Sequence, residues 1–316
     1  MTENKQENLS NRMIKFLFEG APVRGAVVQS SDEWQNMIRF HKYPENVASL
    51  LGQFAAGALL LSSTIKFDGA LILQVKGSGP IQLIVVEVRT PLSVRTMAQL
   101  REGAEITPDM DLQALINQDN KGQCAIILDP KGRRAGVQPY QGIVPLSGAT
   151  VAENLEGYMV RSEQLETKLW LAANGQKIGG LLVQKMPGTG GTAAEANDPD
   201  AWGRIIQVAN TVKNEELLEL AAPELLHRLF WQEKMKPIAE DDVSFSCNCS
   251  RERTSSMLQQ LGYKECMDII KAEGKIDVTC RFCNQTQTYT PEEVEALFIE
   301  ANPDAGAKGA DPKRPQ

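Results

Sequence analysis

The chain has 316 residues, 42% of them apolar, and a net charge of −7. That length suggests about two domains, and no apolar run is long enough to span a bilayer. The acidic balance disfavours non-specific nucleic-acid binding, which needs a basic face for phosphate contacts, and six cysteines in so long a chain do not read as a disulfide scaffold. Met1 to Ser10 is polar and carries no signal-peptide apolar region, so a cytosolic protein with reduced thiols is expected.

In chain order, Met13 to Phe18 and Arg24 to Gln29 read as strands, and Ser30-Ser31-Asp32-Glu33 reads as a capping box. Trp34, Met37 and Ile38 follow at helical spacing. Tyr43-Pro44 starts a second helix, on which Val47, Leu50, Leu51, Phe54, Ala55 and Ala58 make more than one apolar face; it is predicted to be buried. Leu71 to Val75 and Ile81 to Val88 form a hairpin around Gly77-Ser78-Gly79-Pro80. Ser93 to Leu100, Cys124 to Leu128 and Gly142 to Leu146 extend the strands, with Cys124 as a buried small hydrophobe. Thr150 caps a helix running to about Ser162, and Leu169 to Ala173 and Ile178 to Met186 pair around Asn174-Gly175. Strands and helices come in groups, so residues 1–186 are predicted to be an α+β core with antiparallel sheet.

Residues 187–242 read as a linker and helical connector. Pro187 to Pro199 is rich in Gly, Thr and Ala and reads as a flexible loop; Gly188-Thr189-Gly190-Gly191 lacks the spacing and lysine of a phosphate-binding loop. Trp202 to Gln232 is helical in pattern, with Ile205, Val208, Ala209 and Val212 on one face. Residues 243–290 form a small four-cysteine module with helices at 254–258 and 264–273 and a short hairpin from Ile276–Thr279 and Gln285–Tyr289. Pro291 to Ala301 adds a helix, and Asn302 to Gln316 reads as disordered.

Four of the six cysteines stand in two tight pairs, Cys247-Asn248-Cys249 and Cys280-Arg281-Phe282-Cys283. Four thiolates fill the tetrahedral shell of one Zn²⁺, and Cys-x-x-Cys is common zinc-ligand spacing. Cys-x-Cys is unusual, and its short loop is expected to open more easily. Arg251, Arg253 and Arg281 flank the cysteines, and cations stabilise thiolates. Three readings compete: a permanent structural staple, a thiol-disulfide oxidoreductase using Cys280 and Cys283, and a switch between zinc-bound thiolates and zinc-free disulfides. Spacing alone ranks the staple first, and the βαβ pattern expected of an oxidoreductase is missing around Cys280.

The local sequence changes that order. Phe245-Ser246-Cys247-Asn248-Cys249-Ser250-Arg251-Glu252-Arg253, then Leu261-Gly262, then Gly274 to Cys283, closely resembles the redox-regulated thirty-three-kilodalton chaperonin family. Tyr158 to Leu165, Leu61 to Gly69, Gln138 to Gly142 and Glu215 to Leu218 resemble family segments too, so the likeness runs from about Ile14 to Tyr289. It departs at Asn284, where many members have glycine, and at Cys266, an extra thiol able to form a wrong disulfide. The resemblance implies a cytosolic, ATP-independent holdase switched on by oxidation. In it, Cys247, Cys249, Cys280 and Cys283 bind one Zn²⁺ when reduced and pair as Cys247–Cys249 and Cys280–Cys283 when oxidised. It also implies release of the connector's apolar face to unfolding client proteins and dimerisation of the active form.

Signs of catalysis are scarce. His41 and His227 are the only histidines, they lie far apart in sequence, and no nucleophile elbow is present. A four-cysteine zinc has no open position for water. The expectation is therefore a chaperone and not an enzyme, with an oxidoreductase and a nucleic-acid-binding zinc ribbon as the alternatives.

Overall fold

The helix predicted to be buried lies between two antiparallel sheets. The structure, a computed structural model, describes residues 11–65, 68–132, 138–187, 198 and 200–301. The chain divides into two units, Met1–Ser246 and Cys247–Gln316.

In the first unit, strands β1 (Arg12–Phe18), β2 (Val23–Ser30), β8 (Thr167–Ala173), β9 (Ile178–Lys185) and β10 (Met235–Asp242) form a five-stranded sheet in the order β10-β1-β2-β9-β8. Strands β3 (Gly69–Lys76), β4 (Ile81–Arg89), β5 (Ser93–Leu100), β6 (Gln123–Pro130), β7 (Tyr140–Pro145) and β11 (Ser244–Phe245) form a six-stranded sheet in the order β11-β5-β4-β3-β6-β7. Every pairing is antiparallel except β11 with β5. The α+β class and the 71–88 hairpin are as expected.

The short α1 is Asp32–Ile38, and α2, Glu45–Ser62, follows with Pro44 as its N-cap. Val47, Leu51, Phe54, Ala55, Ala58 and Leu59 of α2 are fully buried, packed with Leu71, Leu73, Ile84, Val86, Cys124 and Ile126 of one sheet and Met13, Val28, Leu171 and Leu182 of the other. A helix apolar all round has no solvent face to present, so burial between two sheets is its stable place. The helix predicted from Thr150 is α4 (Val151–Tyr158), capped by the Thr150 side chain, and it continues as a π-helical turn, Met159–Glu163. A short helix, α3 (Leu112–Ile116), has no counterpart in the sequence reading.

The expected capping box over Ser30 to Glu33 does not form. The cap position is Ser31, which makes no side-chain cap bond, and the Ser30 hydroxyl donates to Asn11 Oδ1 at 2.9 Å. Asn11 takes that role from outside the helix: its Oδ1 accepts the N–H groups of Ser31 and Glu33 at 3.0 and 3.2 Å.

Side chains alternate faces along a strand, and the five-stranded sheet is apolar on both. Its outer face, with Phe16, Phe18, Val23, Val27, Leu181 and Val183, is covered by α5 (Ala201–Ala209), α6 (Asn214–Glu219) and α7 (Ala222–Phe230) through Ala201, Ile205, Leu217, Leu225, Leu229 and Phe230. Approach is close: a Cβ on Gly179 would meet the Leu217 carbonyl oxygen at 2.3 Å. Beside it, Gln29 Nε2 donates to the carbonyls of Leu217 and Leu220 at 2.9 and 2.7 Å. The 202–232 stretch is helical as expected, but residues 235–242, read as part of the helical connector, are β10. Lys15 pairs with Ala239 and Phe16 with Pro237, leaving Ile238 as a bulge on this edge strand. Lys236, Pro237 and the acidic run Glu240 to Asp242 mark 235–242 as an edge, which the helical reading of its surroundings masked. Of the predicted loop Pro187 to Pro199, residues 188–197 and 199 lie outside the described residues, as does the tail 302–316.

The second unit contains α8 (Arg251–Leu261), α9 (Tyr263–Glu273), the hairpin β12 (Ile276–Thr279) with β13 (Thr286–Tyr289), and α10 (Pro291–Ala301). Its core is six buried residues: Leu258, Cys266, Ile270, Ile276, Tyr289 and Val294.

Candidate metal centre

Two turns bring the four cysteines together. Cys280 and Cys283 lie in the tip of the β12–β13 hairpin, where Cys280 N–H donates to the Gln285 carbonyl at 2.9 Å and Asn284 N–H to the Cys280 carbonyl at 2.8 Å. That turn needs a left-handed residue, and Asn284 has φ of 56°. Asparagine is among the few non-glycine residues that adopt this conformation readily, so the departure from glycine is sterically explained. Cys247 and Cys249 lie just before α8. The Ser250 hydroxyl caps that helix by accepting Arg253 N–H at 3.3 Å, and Ser250 N–H reaches back to the Asn248 carbonyl at 3.1 Å. Arg253 Nη1 donates to the same carbonyl at 3.1 Å, which holds the short Cys-x-Cys loop in its turn.

The four Sγ atoms all lie within 4.8 Å of one another. Cys247 and Cys249 are 3.4 Å apart, Cys247 and Cys280 3.6 Å, and Cys249 and Cys283 3.1 Å, and all are free thiols. A tetrahedral shell with metal–sulfur bonds of about 2.3 Å has sulfurs roughly 3.8 Å apart. The cluster is thus close to the size of such a shell, and its four soft donors fit a thiophilic metal ion.

The thiols are not alike. Burial pushes Cys249 up, as do its bonds to Cys283 and Cys247. Burial also pushes Cys283 up. Cys280 is lowered: burial, the largest effect, opposes this, but hydrogen bonds from the backbone N–H groups of Cys283 and Phe282, together with those to the Cys247 and Cys283 thiols, outweigh it. Two of the three flanking cations have partners other than the thiols. Arg251 lies over the Tyr289 ring, 4.4 Å from its centroid, and pairs with Glu293 at 2.6 Å, so it braces the small core. Arg253 binds backbone, as above. The lowering at Cys280 comes from main-chain N–H groups at the hairpin tip and from the neighbouring thiols, a signal that charge counting along the sequence misses.

The other two cysteines stand apart from the cluster. Cys266 is fully buried in the small core, raised by burial and by Glu265. Cys124 is fully buried between the sheets, and burial pushes its thiol up to about 12. His41 stacks on Tyr43 and His227 is exposed on α7.

A two-sheet α+β unit and a second, small unit with four thiols placed so that they could hold one soft metal ion define the class of protein. Comparison identifies the family. Residues 11–290 match the Hsp33 protein family, and the chain belongs to it. It is 42% identical over 291 residues to the 33 kDa chaperonin of Methylobacillus flagellatus, covering 92% of this chain and 95% of that one. It is 38% identical over the same length and shares to the 33 kDa chaperonin of Chromobacterium violaceum. The crystal structure of the 33 kDa chaperonin from Thermotoga maritima is similar in fold, with a TM-score of 0.74 at 21% identity, over 93% of this chain and all of that one. Among the described residues, no helix is long and apolar enough to cross a membrane.

Proposed function

We propose that this chain is a redox-switched, ATP-independent holdase that keeps unfolding proteins from aggregating, and is not an enzyme. Cys247, Cys249, Cys280 and Cys283 are the ligands of one Zn²⁺ in the reduced protein. The single observation that supports this most is the four free thiols within 4.8 Å. Bound zinc would supply folding energy to the small unit that begins at Cys247; structural zinc is worth about 10–16 kcal/mol in small modules, and, among the described residues, a core of six buried residues supplies little.

Oxidation removes the donor set. Each disulfide takes two electrons from two thiolates, which one peroxide molecule accepts as it becomes water. The sulfur distances do not choose among pairings, since Cys247 lies 3.4 Å from Cys249 and 3.6 Å from Cys280. The proposed pairing, Cys247–Cys249 and Cys280–Cys283, rests on the family. Once the module has opened, the connector over 187–242 loosens and uncovers the Phe16, Phe18 and Leu181 face, which binds clients in the cytosol. The active form is a homodimer.

The test measures zinc content and suppression of a thermally unfolding client's aggregation, before and after peroxide. One zinc with no activity when reduced, and zinc loss with activity when oxidised, support the switch. Zinc retained and activity unchanged would reduce the four cysteines to a staple. Turnover in insulin reduction that depends on Cys280 and Cys283 would favour an oxidoreductase instead.

A further inference from the structure

The last four residues of the first unit are fastened one by one. Val243 N–H donates to the Asn11 carbonyl at 2.8 Å, Ser244 to Leu92 at 3.1 Å, Phe245 to Glu33 Oε2 at 2.5 Å, and Ser246 to Val94 at 3.3 Å. In extended chain successive N–H groups point to opposite sides. Ser244 and Ser246 therefore face the β5 side, while Val243 and Phe245 point where, among the described residues, no strand pairs with them. Two separate acceptors fill that side, the carbonyl of left-handed Asn11 (φ 79°) and the Glu33 carboxylate. Asn11 also holds the first turn of α1, on which Glu33 stands, through Ser31 and Glu33 N–H. Val243 is buried in the main core, and the Phe245 ring lies 6.2 Å from that of Phe40. The next residue after this seam is Cys247. Along the chain, an event at the cysteines reaches β10 and α5–α7 only by way of residues 243–246.

We propose that Glu33 is a positioning residue that fastens this seam and so sets how readily the connector leaves the core; the inference rests on the reading of 187–242 as a releasable layer. A charge-assisted hydrogen bond is the strong kind. Its loss shifts the opening of the seam about tenfold or more. With the Phe245 N–H freed, the seam keeps the Val243–Asn11 bond and the two bonds along β5 but loses its one charge-assisted tie.

The test is hydrogen exchange by mass spectrometry on the full, reduced, zinc-loaded chain and its Glu33→Ala, Glu33→Asp and Glu33→Gln variants. In Glu33→Ala, peptides from 235–246 and from 201–230 should exchange about tenfold faster or more. Peptides from α2 and from β3, β4 and β6 should be unchanged, with one zinc still bound. Glu33→Gln keeps a carbonyl acceptor at the same reach and should recover most of the protection. Should Glu33→Ala not fold, Glu33→Asp, which shortens the reach, should show the same acceleration at 201–230. Acceleration confined to 243–246, acceleration that spreads equally to α2, or none at all would overturn the proposal. The client assay on the unsubstituted protein reports separately: no activity after oxidation would sink the holdase reading and leave the exchange result standing.

Discussion

Replacing Phe230 by alanine should release the connector without touching the cysteines. Phe230 is almost fully buried at the end of α7, edge-on to Phe18 at 5.1 Å and tilted against Phe16 at 6.4 Å. A buried phenylalanine reduced to alanine costs about 3–5 kcal/mol, and here the loss falls between α7 and the outer face of the five-stranded sheet. At 1.4 kcal/mol per decade, docking of α7 weakens by roughly two to three orders of magnitude. The central cluster around α2 includes neither Phe230 nor its two ring partners, so the core stays folded. Trp170 and Trp202, half-buried in the affected cluster, report release as a red shift in emission, and limited proteolysis maps cleavage to 201–230. The expected result is a reduced, zinc-loaded Phe230→Ala protein that is cleaved in 201–230 and suppresses client aggregation without oxidant. Cleavage without aggregation suppression would refute the assignment of this face to client binding. Resistance to cleavage would refute the energetic argument.

Three further outcomes are expected. Gly179→Ala places a Cβ against the Leu217 carbonyl, which is backbone and cannot rotate away; α6 should lift, and exchange in 214–220 should rise while the β3–β4 hairpin is unchanged. Cys124 is raised from an ordinary 9.0 to about 12 by burial, so the protonated thiol is favoured by folding. Its contribution is intact below pH 9 and is lost as pH rises toward 12, at about 1.4 kcal/mol per unit; denaturant titrations of the parent and Cys124→Ala should diverge over that window, and parallel curves would contradict the burial argument. Asn284→Gly should relieve left-handed strain of up to about 1 kcal/mol, and competition with a chelator should then read a zinc affinity up to about fivefold tighter, while Asn284→Val should weaken it.

Most of the core was legible because each strand carries its own turn chemistry and α2 is apolar all round. The four-cysteine cluster was legible because ligand pairs sit within a few residues of each other and need only two turns to meet. What escaped depends on contacts distant in sequence. β10 is a strand only because β1 offers it a partner some 220 residues earlier, in register from Arg12–Asp242 to Phe18–Met235. The capping box over Ser30 to Glu33 gives way to Asn11, which accepts from the Ser30 hydroxyl, while Glu33 is drawn to Phe245, a pairing across more than two hundred residues. Arg251 and Arg253 were read as thiolate stabilisers because sequence shows proximity along the chain and not direction; in space Arg251 turns to Tyr289 and Glu293, and Arg253 to the Asn248 carbonyl.

A layer that comes off must leave something folded behind. The five-stranded sheet separates two apolar clusters that share no buried residue: one between the sheets around α2, the other under α5–α7. Removing the second uncovers Phe16, Phe18, Val23, Val27, Leu181 and Val183 but takes nothing from the packing of Leu51, Phe54 or Leu59. Most of the sheet's own hydrogen bonds persist too, since β1, β2, β9 and β8 pair with one another and only the β10 edge belongs to the connector side. An apolar face exposed on a sheet that is still paired is broad and fixed, and it offers unfolding chains a surface to bury without strands of its own to unravel. On the proposed function, this division of the core is what makes release of the connector an activation and not a denaturation.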